Sequence, residues 1–478
     1  MSKFFIINTE TISEFLPVGI SVSLSTTGVD LSSIENDDVL IGYNNRTQQF
    51  HCHYQAIKDD SGVKLVKQLD KKHSINIKDI SNFPSTTLSS ILSPMSICII
   101  NEALGVKLLK ILYSENNYDC TKTFQQVIFG APGTGKSYSI NKTIGENVTV
   151  KVDSSDSKVP LPQVGGDKYI IPDKMVFRTT FHPEYDYAQF VGCYKPIVAD
   201  EDGKDVTYQF VPQVFTDAYV EAWNNPNKPV FLVIEEINRG NCAQIFGDIF
   251  QLLDRNKDGE SEYSIQPDKD LQKYLSKKLE INDSNVDESI RNGEALLLPK
   301  NFNILATMNT SDQSLYPMDS AFKRRWDWKY TPTITDDKYG KSKNFKIYLG
   351  DNAKSDCCNW IDFIKAVNQR IKDATKSEDK QLGEYFIKHD VYIDEFISKV
   401  MFYLWTDVCK ENYSTKDNFF RTAKDKNERD KNEEFTFNEL VSEIKKDGST
   451  TITILIAERL QQFMNYLDVK IEKITPEP

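Results

Sequence analysis

Residues 130–137 read GAPGTGKS, entered from the apolar run QQVIF and followed by KSYSINKTIGE, which has helical patterning. The eight residues satisfy G-x-x-x-x-G-K-[ST] without a mismatch, in the strand–loop–helix setting that this pattern requires. Such a segment commits the chain to an α/β sheet, because the strand must end where a helix N-terminus can face an anion. The glycines let the loop curl until its N–H groups point inward at phosphate oxygens. Lys136 reaches the terminal phosphates, and the Ser137 hydroxyl is placed to ligate Mg²⁺. Gly130, Ala131, Pro132, Gly133, Thr134, Gly135, Lys136, Ser137 and the next residue, Tyr138, are therefore the nucleotide-binding candidates. The chain binds a nucleoside triphosphate.

Hydrolysis also needs an acid on the metal side and a group that activates water. The run VFLVIEEINRGN supplies Glu235 and Glu236 at the end of a buried apolar strand. Glu235 is expected to act through Mg²⁺ and Glu236 to orient or deprotonate the attacking water. Most P-loop proteins carry Asp at the first of these positions, so Glu235 brings an extra methylene to the metal side.

A third polar cluster, MNTSDQS, follows the run NFNILAT and precedes LYPMDSAFKRRW. Polar residues at the carboxyl end of a buried strand mark the ligand edge of an α/β sheet. In ring-forming AAA+ proteins a polar residue at this place senses the γ-phosphate, and Asn309 occupies it. Arg324 and Arg325, in KRRW, are candidate fingers toward a neighbouring subunit's nucleotide, where a planar guanidinium stabilises transition-state charge.

Three textures divide the 478 residues. Residues 1–118 carry short alternating runs separated by turn signals, the pattern of a small β-rich barrel or sandwich. Residues 119–335 alternate apolar strands with helical patterns, the pattern of a parallel α/β sheet. Residues 336–478 are mostly helical, as in NWIDFIKAVNQRIKDA and TITILIAERLQQFMNYL, and are read as a lid and C-terminal region. The charge run RTAKDKNERDKNEEF within it reads as a solvated loop or helix face.

The formal net charge of −12 argues against a surface that is one large nucleic-acid footprint, so any DNA contact is focal. The eight cysteines show no C-x-x-C spacing and read as reduced thiols. No apolar run approaches bilayer length and no signal peptide is evident, so the expected location is the cytoplasm.

With GAPGTGKS, FHPEYDYAQFVGCYKP (181–196), IEEINRGNCAQIFGD (234–248) and MNTSDQSLYPMDSAFKRRW (308–326) assembled, the chain resembles the McrB family of AAA+ GTPases over roughly residues 124–330. These are motor subunits of modification-dependent restriction systems. The family typically has M-N-T-A-D-R-S where this chain has MNTSDQS, with Ser311 for Ala and Gln313 for Arg. The resemblance implies GTP and Mg²⁺ as cofactors and a homo-oligomeric, hexameric ring. It also implies a separate McrC-like endonuclease as partner. Asn309 and Asp312 would then organise the catalytic water and the partner contact, with Asp319, Arg324 and Arg325 at the subunit boundary.

The stretch IENDDVLIGYNNRTQQFHCHYQAIKDDSGVKLVKQLDKKHSINIKDI resembles the EVE branch of PUA-like domains, which hold a flipped base between aromatic walls. Tyr43, Phe50, His51, His53 and Tyr54 are its candidate pocket residues. Residues 1–120 carry 10 Lys and Arg against 13 Asp and Glu, so attraction to phosphate is weak and recognition of DNA would rest on an enclosed, modified base.

Two further patterns fail. DRNKDGESEYSI has the first half of a calcium loop but ends on Ile265 where a bidentate Glu is needed, so it reads as a polar turn. SEIKKD has the E-x-K fragment of nucleases without a partner acid and reads as a charged helix face. The segment 266–297 is an insertion without a sequence-level explanation. The expected function is a GTP-driven ring that recognises DNA and activates a nuclease. The rivals are a MoxR-like ATPase chaperone and a pure recognition module.

Overall fold

A computed structural model describes residues 3–8, 21–23, 34–35, 38–44, 49–59, 62–69, 75–76, 97–113, 118–151, 158–164, 168–198, 206–311, 316–334, 345–409, 419–424, 432–441 and 451–473. By internal contacts the chain divides into two compact units. One comprises residues 1–127, 137–306 and 316–327, and the other 128–136, 307–315 and 328–478.

The strand-rich N-terminal region belongs to the first unit. Its sheet runs in the order Ser21–Ser23, Gly62–Leu69, Gln49–Asp59, Val39–Asn44, Phe4–Asn8, Ile97–Ile100, with Ile75–Asn76 also pairing to Gln49–Asp59. Phe4–Asn8 lies parallel to Val39–Asn44. A buried Asp38 fixes the entry to that pair: its carboxylate accepts from the backbone N–H of Lys3 at 2.7 Å and of Glu35 at 2.9 Å. Helix Glu102–Tyr113 closes one face with Leu108, Leu109, Leu112 and Tyr113. Its Gly105 has no room for a side chain, since a Cβ there would lie 2.2 Å from the Phe4 ring.

This packing corrects the reading of a base pocket. Tyr43, Phe50 and Tyr54 are fully buried and His53 nearly so. A half-buried sheet would leave alternate residues for a ligand, but every residue of Val39–Asn44 is buried. Tyr43 and Phe50 pack ring against ring at 5.0 Å, and His53 Nδ1 is 3.1 Å from the Tyr113 hydroxyl. Burial pulls the His53 pKa down to about 3, so the ring is neutral. The side chain of His51 lies outside the described residues. Tyr43→Ala is accordingly expected to destabilise the N-terminal region by about 3–5 kcal/mol, the cost of emptying a buried aromatic site. Calorimetry should show its unfolding transition shifted down; an unchanged transition would return Tyr43 to the list of ligand residues.

The central parallel sheet has the order Val176–Thr180, Val230–Glu235, Phe302–Asn309, Gln125–Gly130, Asp327–Tyr330. Val230–Glu235 is parallel to both of its neighbours. Strands covered on both faces read as continuous apolar runs, and VFLVI and FNILAT do so. Asn303 is the exception inside one of them. Its side chain accepts from Phe124 N–H at 2.8 Å and donates to the carbonyls of Val230 and Asn301, tying neighbouring strands together at their amino ends.

Arg255 does similar work beneath the sheet, donating to Gln125 Oε1 and to the carbonyls of Gly259, Leu298, Pro299 and Phe302. Burial lowers its pKa to about 9, which leaves it charged at neutral pH. The loop after it is a polar turn, with Asn256 Oδ1 accepting from the N–H groups of Asp258 and Glu260. The insertion folds into helix Lys269–Lys278, capped by Asp268, and a short turn, Glu288–Arg291, capped by Asp287. Tyr274 of that helix packs on Phe210 of the hairpin Gly192–Val198/Val206–Pro212.

In the second unit the C-terminal region is largely helical. Asn359 caps helix Trp360–Thr375, whose Trp360, Phe363, Ile364, Val367 and Ile371 form one buried stripe. They pack with Phe396, Val400, Leu404 and, from the helix Thr451–Tyr466, with Leu460 and Phe463. Part of the charge run forms a strand pair, Arg421–Thr422 with Glu433–Glu434, where Arg421 bonds Asn432 and Glu434. Among the described residues no helix is long and apolar enough to cross a membrane.

Candidate active site

In the second unit, the strand ending at Gly130 turns into a loop that Gly133 (φ 75°) and Gly135 (φ 78°) carry through left-handed conformations. Those positions favour glycine, and close neighbours reinforce the requirement: a Cβ on Gly133 would meet Phe386 at 2.7 Å and one on Gly135 would meet the Tyr385 ring at 3.0 Å. Lys136 is nearly buried. Its Nζ donates to the carbonyls of Gly130 at 3.0 Å and Ala131 at 2.8 Å, which folds the loop around the ammonium. Thr134 Oγ1 donates to Ala131 O, and the N–H of Thr310, next to Asn309 at the end of its strand, approaches Gly130 O at 3.4 Å. Asn309 thus ends its strand beside the loop, and Asp312 lies outside the described residues.

The segment QLGEYF, residues 381–386, belongs to this loop and was not legible as part of it. Gly383 N–H donates to Pro132 O at 2.9 Å and Tyr385 N–H to Gly133 O at 2.8 Å. A Cβ on Gly383 would meet Gly133 at 2.3 Å. Some 250 residues separate the partners in sequence, so the only local signal was one glycine.

The first unit holds the acids. Glu235 Oε2 accepts from Ser137 Oγ at 3.0 Å. That separation suits two adjacent ligands of an octahedral Mg²⁺, which at about 2.1 Å from each oxygen puts neighbouring oxygens about 3.0 Å apart. Hydroxyl and carboxylate oxygens are also the donor types that Mg²⁺ takes, so the pair fits the metal expected of it. Glu235 Oε1 accepts from Arg178, whose other nitrogen donates to Asn141 Oδ1 at 3.3 Å. Neither Arg178 nor Asn141 was among the expected residues.

Glu236 sits at φ 55°, ψ 48°, a left-handed conformation rare for a side-chain-bearing residue. Such strain persists where the surroundings impose it, and it collects at functional sites. Here the strand ends and the chain turns directly into the 3-10 turn Ile237–Arg239. Its Oε2 lies 3.6 Å from Arg239 Nε.

The motif at 181–196 is largely architectural. Phe181 is buried against Tyr185, Phe190 and Phe246, and Asp186 with Gln189 makes a capping box for Tyr187–Phe190. Asp319 likewise caps Ser320–Lys323, accepting from Phe322 N–H at 2.6 Å.

The two arginines part company. Arg325 has an 8% exposed side chain, bonded to Asp254 at 2.5 Å and to Ala321 O, with its guanidinium 3.9 Å from the Phe250 ring centre. That corrects its assignment as a finger: the side chain is spent on the fold. Arg324 is exposed. It lines a cavity of about 820 Å³ with Gln125, Pro229 and Asn303, which lie at the amino ends of the sheet strands.

Comparison with known proteins agrees with this geometry. The AAA domain (dynein-related subfamily) profile matches residues 170–326. The chain is 35% identical over 352 residues to the type II restriction enzyme BsuMI component YdiS of Bacillus subtilis (strain 168), a match spanning 68% of this chain and 87% of that protein. It is 24% identical over 273 residues to the type IV methyl-directed restriction enzyme EcoKMcrB subunit of Escherichia coli (strain K12), spanning 56% of this chain and 44% of that one. A P-loop closed around Lys136 and relatives of this extent place the chain in the McrB family of AAA+ nucleoside triphosphatases.

Proposed function

We propose that the chain is the GTP-hydrolysing motor of a McrBC-like restriction system, working as a hexameric ring that recognises DNA through its N-terminal region and activates a separate McrC-like endonuclease. The observation that carries this reading is MNTSDQS at the end of a strand whose Thr310 reaches the P-loop carbonyl of Gly130. The B. subtilis and E. coli relatives, both named as parts of restriction enzymes, support it.

In this mechanism the loop N–H groups and Lys136 bind and neutralise the phosphates. Ser137 and Glu235 would hold Mg²⁺, which would supply neutralisation of the phosphate charge. Glu236 takes a proton from water, and Asn309 and Asp312 orient that water. Arg324, whose side chain is exposed, acts on a neighbour's nucleotide, where a planar guanidinium stabilises transition-state charge. Residues 1–118 form the recognition region, 119–335 the motor and 336–478 the lid. With Tyr43, Phe50, His53 and Tyr54 in the core, DNA recognition falls to other surfaces of the first region.

Turnover of GTP is expected to exceed that of ATP by at least about tenfold, roughly 1.4 kcal/mol, which two or three hydrogen bonds to the base edge supply. Steady-state rates with each nucleotide decide it. Equal rates, or faster ATP turnover, would favour the MoxR-like chaperone reading.

A further inference from the structure

Glu235 already has a cationic partner. Register places it opposite Thr180 on the edge strand, so Arg178, two residues earlier, lies diagonally across on the same face and its long side chain reaches the carboxylate. Ser137 and Asn141 stand one turn apart on the P-loop helix, so they share the helix face that meets this pair. Ser137 donates to Glu235 Oε2, Arg178 donates to Oε1 through one terminal nitrogen, and Asn141 Oδ1 accepts from the other at 3.3 Å.

We propose that Arg178 is the resident counter-ion of Glu235 and that Mg²⁺ must displace it, so that the chain exchanges one cation for another at its metal-side acid. The inference rests on the nucleotide-hydrolysing reading but not on the choice of base. A guanidinium and a divalent cation repel each other at one carboxylate, and Mg²⁺ accepts little departure from octahedral geometry. The carboxylate is enclosed, 15% exposed, whereas the Arg178 side chain is 38% exposed and so is the partner with solvent access. A glutamate at this position, one methylene longer than aspartate, extends the carboxylate toward both Ser137 and Arg178.

If Arg178 holds Glu235 in about nine molecules of ten, the apparent affinity for Mg²⁺ falls about tenfold below its intrinsic value. The test is a MgCl₂ titration of the full-length chain carrying fluorescent GDP or ADP analogues, read as the Mg²⁺ concentration at half the metal-dependent signal, with thermal melting as a check of folding. Arg178→Gln is expected to lower that concentration by about tenfold. Arg178→Lys, which keeps the charge but loses the fork, and Asn141→Ala, which removes the far anchor, should each lower it by about two- to threefold.

An unchanged or higher half-saturating concentration in Arg178→Gln overturns the exchange and makes Arg178 a ligand of the nucleotide or of the fold. If Arg178→Gln melts early, the other two variants decide on the same criterion, and no shift in either overturns it. A wild-type chain that binds neither analogue overturns the nucleotide reading and the exchange with it. Binding of both analogues with an unchanged midpoint overturns the exchange alone.

Discussion

Lys136→Ala is expected to lower nucleotide affinity by at least about 100-fold, equivalent to roughly 2.7 kcal/mol. One role of the residue is structural and the other is the proposed phosphate contact, and alanine removes both together. Its ammonium bridges the carbonyls of Gly130 and Ala131, so it sets the curl that turns the loop's N–H groups inward. It is also the cation that the P-loop pattern brings to the terminal phosphates. Charge-assisted hydrogen bonds are worth about 1.5–3 kcal/mol each, and alanine leaves two buried carbonyls without their donor. Titration calorimetry with a non-hydrolysable triphosphate measures the loss. Affinity within about threefold of the native chain would mean that the loop binds phosphate through its backbone alone. Thermal melting of the same variant separates loss of binding from loss of fold.

The parts of the site that were legible in the sequence are those written in consecutive residues. GAPGTGKS between a strand and a helix, two acids at the end of VFLVI, and Asn309 at the end of FNILATMN each carry their own geometry, because a strand's carboxyl end is the ligand edge of a parallel sheet. What escaped depends on long-range register. Arg178 faces Glu235 only because Thr180 pairs with it across the sheet, and Gly383 and Tyr385 reach the P-loop from about 250 residues away.

Alternation misled in the N-terminal region for a related reason. Residues of Val39–Asn44 were expected to divide between core and ligand, but both faces of that strand are covered, so Tyr43 is core as well. The arginine pair shows the limit of a motif taken whole. KRRW contains one exposed arginine and one consumed by Asp254 and Phe250, and only the fold distinguishes them.

Glu236→Gln should behave in the opposite way to Lys136→Ala: nucleotide binding persists while turnover falls by about 10²–10⁴-fold, the range contributed by a positioned general base. Glutamine keeps the size of the side chain and its capacity to hydrogen-bond, so it holds water without taking its proton. A left-handed residue that is not glycine costs on the order of 1–3 kcal/mol, and the chain sustains that at Glu236, directly after Glu235. Glu236→Gly should therefore relieve strain and melt no lower than the native chain, while losing turnover as Glu236→Gln does. Single-turnover hydrolysis, measured beside nucleotide affinity for both variants, tests the pair. Native turnover in Glu236→Gln would transfer the water-activating role to Glu235, and a glycine variant that melts well below the native chain would show that the carboxylate is held there by packing rather than by catalytic need.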